Sequence, residues 1–168
     1  MSAITPAWPS GGFGATYSVL SGMPVGRCIA AVRDFVVVGS IIDDNFSIQW
    51  SAVGDGTDWP VPATDDARSK QSGKQEFSTE HGYVTEVIGN DFYGYVFQES
   101  AITKMSYVGG DVVFSFDTFE EGRGCLRTGS AVKVDDKVIF QSTKGFHILE
   151  NGQVTDIGYG AVDDSYGS

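Results

Sequence analysis

Positive charge is scarce in this chain of 168 residues: eleven lysines and arginines face 22 aspartates and glutamates, a formal net charge of −11. Proteins that grip nucleic acid do so largely by neutralising phosphates with Lys and Arg, so a DNA-gripping role is disfavoured. Such a surface favours DNA passing by without specific binding. Cysteine is nearly absent as well. Cys28 and Cys125 stand far apart and belong to no C-x-x-C pair, which argues against zinc ribbons and thiol-redox motifs. Each is followed by an apolar residue, so both read as buried free thiols rather than a disulfide. No apolar run approaches the roughly 18 residues that a spanning helix requires, and no membrane anchor is expected. The opening "MSAITPAWPSGGFGATYS" has neither a basic nor a continuous apolar region and does not read as a secretory signal.

Helical periodicity is the next thing missing. No window holds apolar spacing at i, i+3, i+4 and i+7 over three turns. Short runs rich in Val, Ile, Phe and Tyr are present instead: "CIAAV", "FVVVG", "SIQWSAV", "YVTEVIG", "YGYVFQ", "TKMSYVG", "VVFSF", "KVIFQ" and "FHIL". Gly, Asp, Asn and Ser separate most of them, and 22 glycines supply turn positions. The predicted fold class is all-β.

Three segments repeat one grammar of strand, acidic turn, aliphatic-aromatic strand, second turn and further strand. They begin at Gly26, His81 and Thr128 and carry Asp34, Asp91 and Asp136 in the first turn. "QSTKG" from Gln141 takes the slot that "QESAI" takes from Gln98, which favours a repeated β-turn over a private active site. Repeats of about 40–50 residues with three or four short antiparallel strands are the pattern of propeller blades. The expected organisation is an arm or linker over 1–25 and a β-propeller-like domain over 26–160, with a tail over 161–168. Blades fall near 26–54, 81–119 and 128–160, with an exposed loop inserted over 55–80. "QVTDIGYG" adds a partial fourth unit. Three blades do not close a propeller, so the expectation is an incomplete propeller finished by another chain, or else a β-sandwich.

Candidate sites are thin. His81 and His147 form no metal motif, and His147, between Phe146 and Ile148, reads as the outward position of its strand. The doublets Asp43-Asp44, Asp65-Asp66, Glu120-Glu121, Asp135-Asp136 and Asp163-Asp164 read as solvated turn carboxylates. "GDGTDW" lacks the ligand count of a calcium loop. No phosphate-binding glycine motif and no nucleophile elbow occur, so no catalytic residue, cofactor or metal is expected. Arg33, Asp34, Trp50, Trp59, Glu120, Glu121 and Arg123 remain as interface or turn residues. Arg123 between two glycines is placed to form an ion pair within its turn or across an interface. Trp50 reads as packing between sheets. Trp59 with its Asp-rich loop supports an alternative carbohydrate-binding reading, and Asp55 with Asp58 a remoter hydrolase one.

Taken in order, "RDFVVVGS", "IQWSAVGDGTDW", "GYVFQESAITKMSYVGG", "FSFDTFEEGRGC" and "VIFQSTKGFHIL" resemble the β-propeller part of tailed-phage tail proteins. These are the nozzle, hub or packaged-DNA stabilisation proteins of short-tailed phages, and the likeness runs from about Gly26 to Gly160. It implies a structural virion protein made in the host cytoplasm, with no catalytic residue. It also implies a ring-shaped homo-oligomer, commonly a hexamer, around the DNA exit channel, in contact with other tail, adaptor and portal proteins. Members of that family are usually much longer than 168 residues.

Overall fold

The computed structural model describes residues 22–157; the tail over 161–168 and all but the last four residues of the expected arm lie outside them. Among the described residues, twelve strands form three separate four-stranded antiparallel sheets, each a meander in sequence order. Sheet 1 contains β1 (Gly26–Val32), β2 (Phe35–Ile41), β3 (Asp44–Trp50) and β4 (Gly73–Glu76). Sheet 2 contains β5 (Val84–Gly89), β6 (Tyr93–Gln98), β7 (Ala101–Gly109) and β8 (Val113–Glu121). Sheet 3 contains β9 (Ala131–Val134), β10 (Lys137–Ser142), β11 (Gly145–Glu150) and β12 (Gln153–Asp156).

Short polar reversals join the strands. Arg33, Asp135 and Asn151 sit at φ of 52°, 55° and 54° in hairpins where the chain must turn tightly. Asn90 closes the matching turn of sheet 2, its Oδ1 accepting the backbone N–H groups of Phe92 and Tyr93 at 2.7 and 2.9 Å. "QSTKG" and "QESAI" both lie at the hairpin between the second and third strands of their sheets.

The strand period of two sorts side chains between two cores. Cys28, Val32, Phe35, Val37, Ile48 and Trp50 of sheet 1 meet Val84, Val87, Val96, Met105 and Phe114 of sheet 2. The opposite face of sheet 2, through Tyr95, Phe97 and Ile102, meets Ala131, Val138, Phe140 and Leu149 of sheet 3. Sheet 2 is therefore covered on both faces, which explains the unbroken burial of β6 from Gly94 to Gln98. Close approach at the first strands requires Gly89, where a methyl group would run into the Ala31 carbonyl. The result is a serial stack consistent with three successive blades of an open propeller.

Two boundaries differ from expectation. The segment 55–80 is not a loop inserted after the first blade but supplies that blade's fourth strand. Thr64 caps helix α1 (Asp65–Ser69) by accepting from the Ala67 N–H at 3.2 Å, and Ala67 is buried beneath the turn. β4 then pairs with β3, Trp50 opposite Gly73, and a 3-10 turn follows over Thr79–His81. Within "QVTDIGYG" the described residues likewise belong to sheet 3, Gln153–Asp156 being its last strand, paired with β11; Gly158, Tyr159 and Gly160 lie outside the described residues. No helix among the described residues is long and apolar enough to cross a membrane.

Candidate functional site

The most organised polar cluster lies at the joint between sheets 2 and 3. The segment Glu120–Cys125 leaves β8 through Gly122, at φ 100°, and packs Gly124 where any side chain would strike the Gln98 carbonyl. This turn aims Arg123 at two carboxylates. Its Nε and Nη2 donate to the two oxygens of Glu120 at 3.1 and 3.2 Å, and Nη1 donates to Asp156 of β12 at 2.6 Å. Arg123 thus makes both the ion pair within its turn and the one across the interface.

Asp156 Oδ1 also accepts from His147 Nδ1 at 2.6 Å, and His147 Nε2 lies 2.6 Å from Ser142 Oγ. The Lys144 N–H donates to that hydroxyl at 2.9 Å. Strand register explains the alignment. His147 sits directly opposite Asp156, and Ser142, opposite Gly145, is its diagonal neighbour. Every donor finds an acceptor when Nδ1 carries the imidazole proton and the Ser142 O–H donates to Nε2.

Ser142, His147 and Asp156 reproduce the connectivity of a nucleophile, base and acid triad. Burial decides against that chemistry. Ser142 is 4% and His147 1% exposed, and the Phe140 ring lies 5.1 Å from the imidazole. A substrate carbonyl has no approach to the hydroxyl, and the Asp156 oxygen is shared with a guanidinium. The arrangement acts as a polar pin inside sheet 3, tied through Arg123 to sheet 2. Arg123 first, and His147 second, hold the Asp156 carboxyl below its ordinary value of 3.8.

His147 therefore faces inward, contrary to the sequence expectation, and it is Phe146 and Ile148 that point away from sheet 2. The apolar neighbours misled the reading because sheet 3 carries apolar residues on both faces. Ser142 and Asp156 carried no local sign of their role; the cue was a Ser placed to become the diagonal neighbour of a His across a two-residue hairpin.

Further ties close the same joint. Thr128 Oγ1 donates to the Thr85 carbonyl at 2.8 Å, Lys133 Nζ to the Gly89 carbonyl at 2.9 Å, and the Gly129 N–H to Glu86 Oε2 at 3.2 Å. Burial pushes the Glu86 carboxyl upward despite that last bond.

The remaining expected residues are scattered. The Arg33 N–H donates to Asn90 O at 2.9 Å, and its guanidinium lies over the Tyr107 ring at 4.5 Å, which joins sheet 1 to sheet 2. The Asp34 carbonyl accepts from the Gly54 N–H at 2.8 Å. Trp50 packs edge-on against Phe114 at 5.2 Å and donates to the Gln71 carbonyl at 2.9 Å. Glu121 is exposed, 3.7 Å from His81 Nε2.

Trp59 does not serve as a sugar platform. It is buried against Val38 and Ile41, and its indole N–H donates to the Gly56 carbonyl at 2.8 Å. The acids around it are engaged too: Asp55 Oδ1 accepts from Thr57 N and Oγ1, and Asp58 pairs with Lys70 at 2.8 Å. No group of three His, Cys, Asp or Glu residues among the described residues is placed to hold a metal ion.

The chain matches no protein-family model, and no curated protein matches it in sequence.

Proposed function

We propose that this chain is a structural protein of a bacteriophage tail or head-to-tail assembly, built into the wall of the DNA exit channel. The carrying observation is the serial stack of three four-stranded sheets whose last member leaves Val132, Val134 and Phe146 exposed. Apolar side chains gathered on one uncovered sheet face suit a component whose neighbours in an assembly cover them. The best-aligned polar groups are spent inside the wall, on joining one sheet to the next. An acidic surface suits a conduit that DNA traverses without adhering. Neighbouring tail, adaptor and portal proteins are the partners on this reading, and no catalytic step is assigned.

The test is composition. Peptide mass spectrometry of gradient-purified particles is expected to find the chain as a stoichiometric component, and an electrophoretic shift assay at about 50 mM salt is expected to show no DNA binding. Absence from the particles, or a tight DNA complex, overturns the reading.

A further inference from the structure

The stack is capped at one end and open at the other. Beyond sheet 1, Trp59 with Met23 packs over Val38 and Ile41 and buries them. Beyond sheet 3, the described residues supply no such cover. Each sheet receives its successor on the same strand positions: Val37 and Trp50 are paired in sheet 1, Phe97 and Ile102 in sheet 2. The matching pairs of sheet 3 are Ile139 with Ile148 and Gln141 with Phe146, continued by Val132 beside Ile139. Val132 is 55% and Phe146 46% exposed, at the rim of a shallow hollow of about 280 Å³ that Ile139 and Gln141 also line. This face also carries Lys137 and Glu150, paired across β10 and β11 with Nζ 3.9 Å from the carboxylate. Their charges cancel, so an apolar patch of no net charge stands on a chain of −11.

The pattern on this face is complementary to itself. A twofold axis running along the strands, midway between β10 and β11, exchanges those two strands between copies and keeps the strands aligned, as in a sandwich. It sets Lys137 of each copy opposite Glu150 of the other and Ile139 opposite Ile148. It also sets Phe146 of each copy over Gln141 and the hollow of the other. We infer that a second copy of this chain covers the open face, sheet 3 against sheet 3. Such a contact uses one patch twice, so it closes as a dimer and leaves the capped sheet 1 end outside.

Self-pairing goes beyond the particle assignment and fails separately from it, since particle composition does not say which faces meet. Sedimentation equilibrium of the purified chain is expected to give twice its 18.0 kDa. Phe146→Asp should return the mass to that of a monomer with an unchanged urea midpoint, whereas Ile29→Asp, on the exposed side of sheet 1, should leave the dimer intact. Lys137→Glu and Glu150→Lys should each weaken the dimer, because each sets like charges against each other twice across the axis. Mixing those two variants should restore it. The pair within each chain stays broken in the mixture, so only contacts between copies can account for the recovery.

A wild-type monomer at about 200 μM overturns the inference, a concentration at which even a contact with Kd of about 50 μM would populate the dimer. A dimer that survives Phe146→Asp overturns it as well, since another surface then holds the copies. A mixture of the two charge variants that stays monomeric overturns the twofold arrangement, and a monomer that gains mass only with another purified particle component assigns the face to that component.

Discussion

The Arg123 guanidinium reaches Asp156 at 2.6 Å from a turn that belongs to a different sheet. Arg123 is therefore the side chain through which sheets 2 and 3 share a charge network, with Glu120 holding its other edge. Arg123→Ala should lower stability by about 1–2 kcal/mol in urea denaturation, and Arg123→Lys should recover little of it. An ammonium cannot hold two carboxylates in the planar fork that a guanidinium provides. Full recovery by lysine would mean that charge alone matters at this joint.

His147→Ala should cost more, about 2–4 kcal/mol, because it opens a cavity beside Phe140 and strips a partner from the buried Ser142 hydroxyl. Ester hydrolysis measured alongside should be equally absent in wild type and variant. Loss of a measurable hydrolytic rate on this substitution would restore the catalytic reading of the triad.

Acid should loosen the same joint. The Asp156 carboxyl is held below 3.8 in the folded chain, so its contribution is complete above the unfolded value and is lost as pH falls through the lower folded one. Urea midpoints taken from pH 6 down to pH 3 should fall steeply at the acid end. Asp156→Asn should flatten that limb while starting from a lower midpoint at pH 6.

Neither thiol should react in the native state. Burial pushes Cys28 up to about 12 and Cys125 up to about 11. Modification by a disulfide reagent at pH 8 should be at least about 100-fold slower than in denaturant, since the thiolate is the nucleophile. Rapid labelling of one equivalent without denaturant would place a cysteine at the surface.

Most strands were legible because alternation and glycine-rich punctuation agree. "FVVVGS" folds as β2 and "YGYVFQ" as β6, each at the position its apolar pattern marks. β4 escaped notice because Gly73–Glu76 contains no apolar side chain. It is a strand only because β3 offers a free edge, with Ser47 opposite Glu76. The half of the site within hydrogen-bonding reach along the chain, Glu120 and Arg123, could be read from "EEGRGC". The other half could not, since Asp156 arrives from a strand thirty-three residues on, and period-two patterning cannot say which of two apolar faces will be covered.

Each sheet is made wholly of strands that follow one another in the chain, so each can form before its neighbour and is then secured by it. Opening should therefore be graded rather than all-or-none. Amide hydrogens of β6, in the sheet secured from both sides, should exchange most slowly, and those of β11 and β12 most rapidly. A chain of this kind is fastened from its middle outward, and its terminal sheet gains its full resistance to opening only when something presses against it.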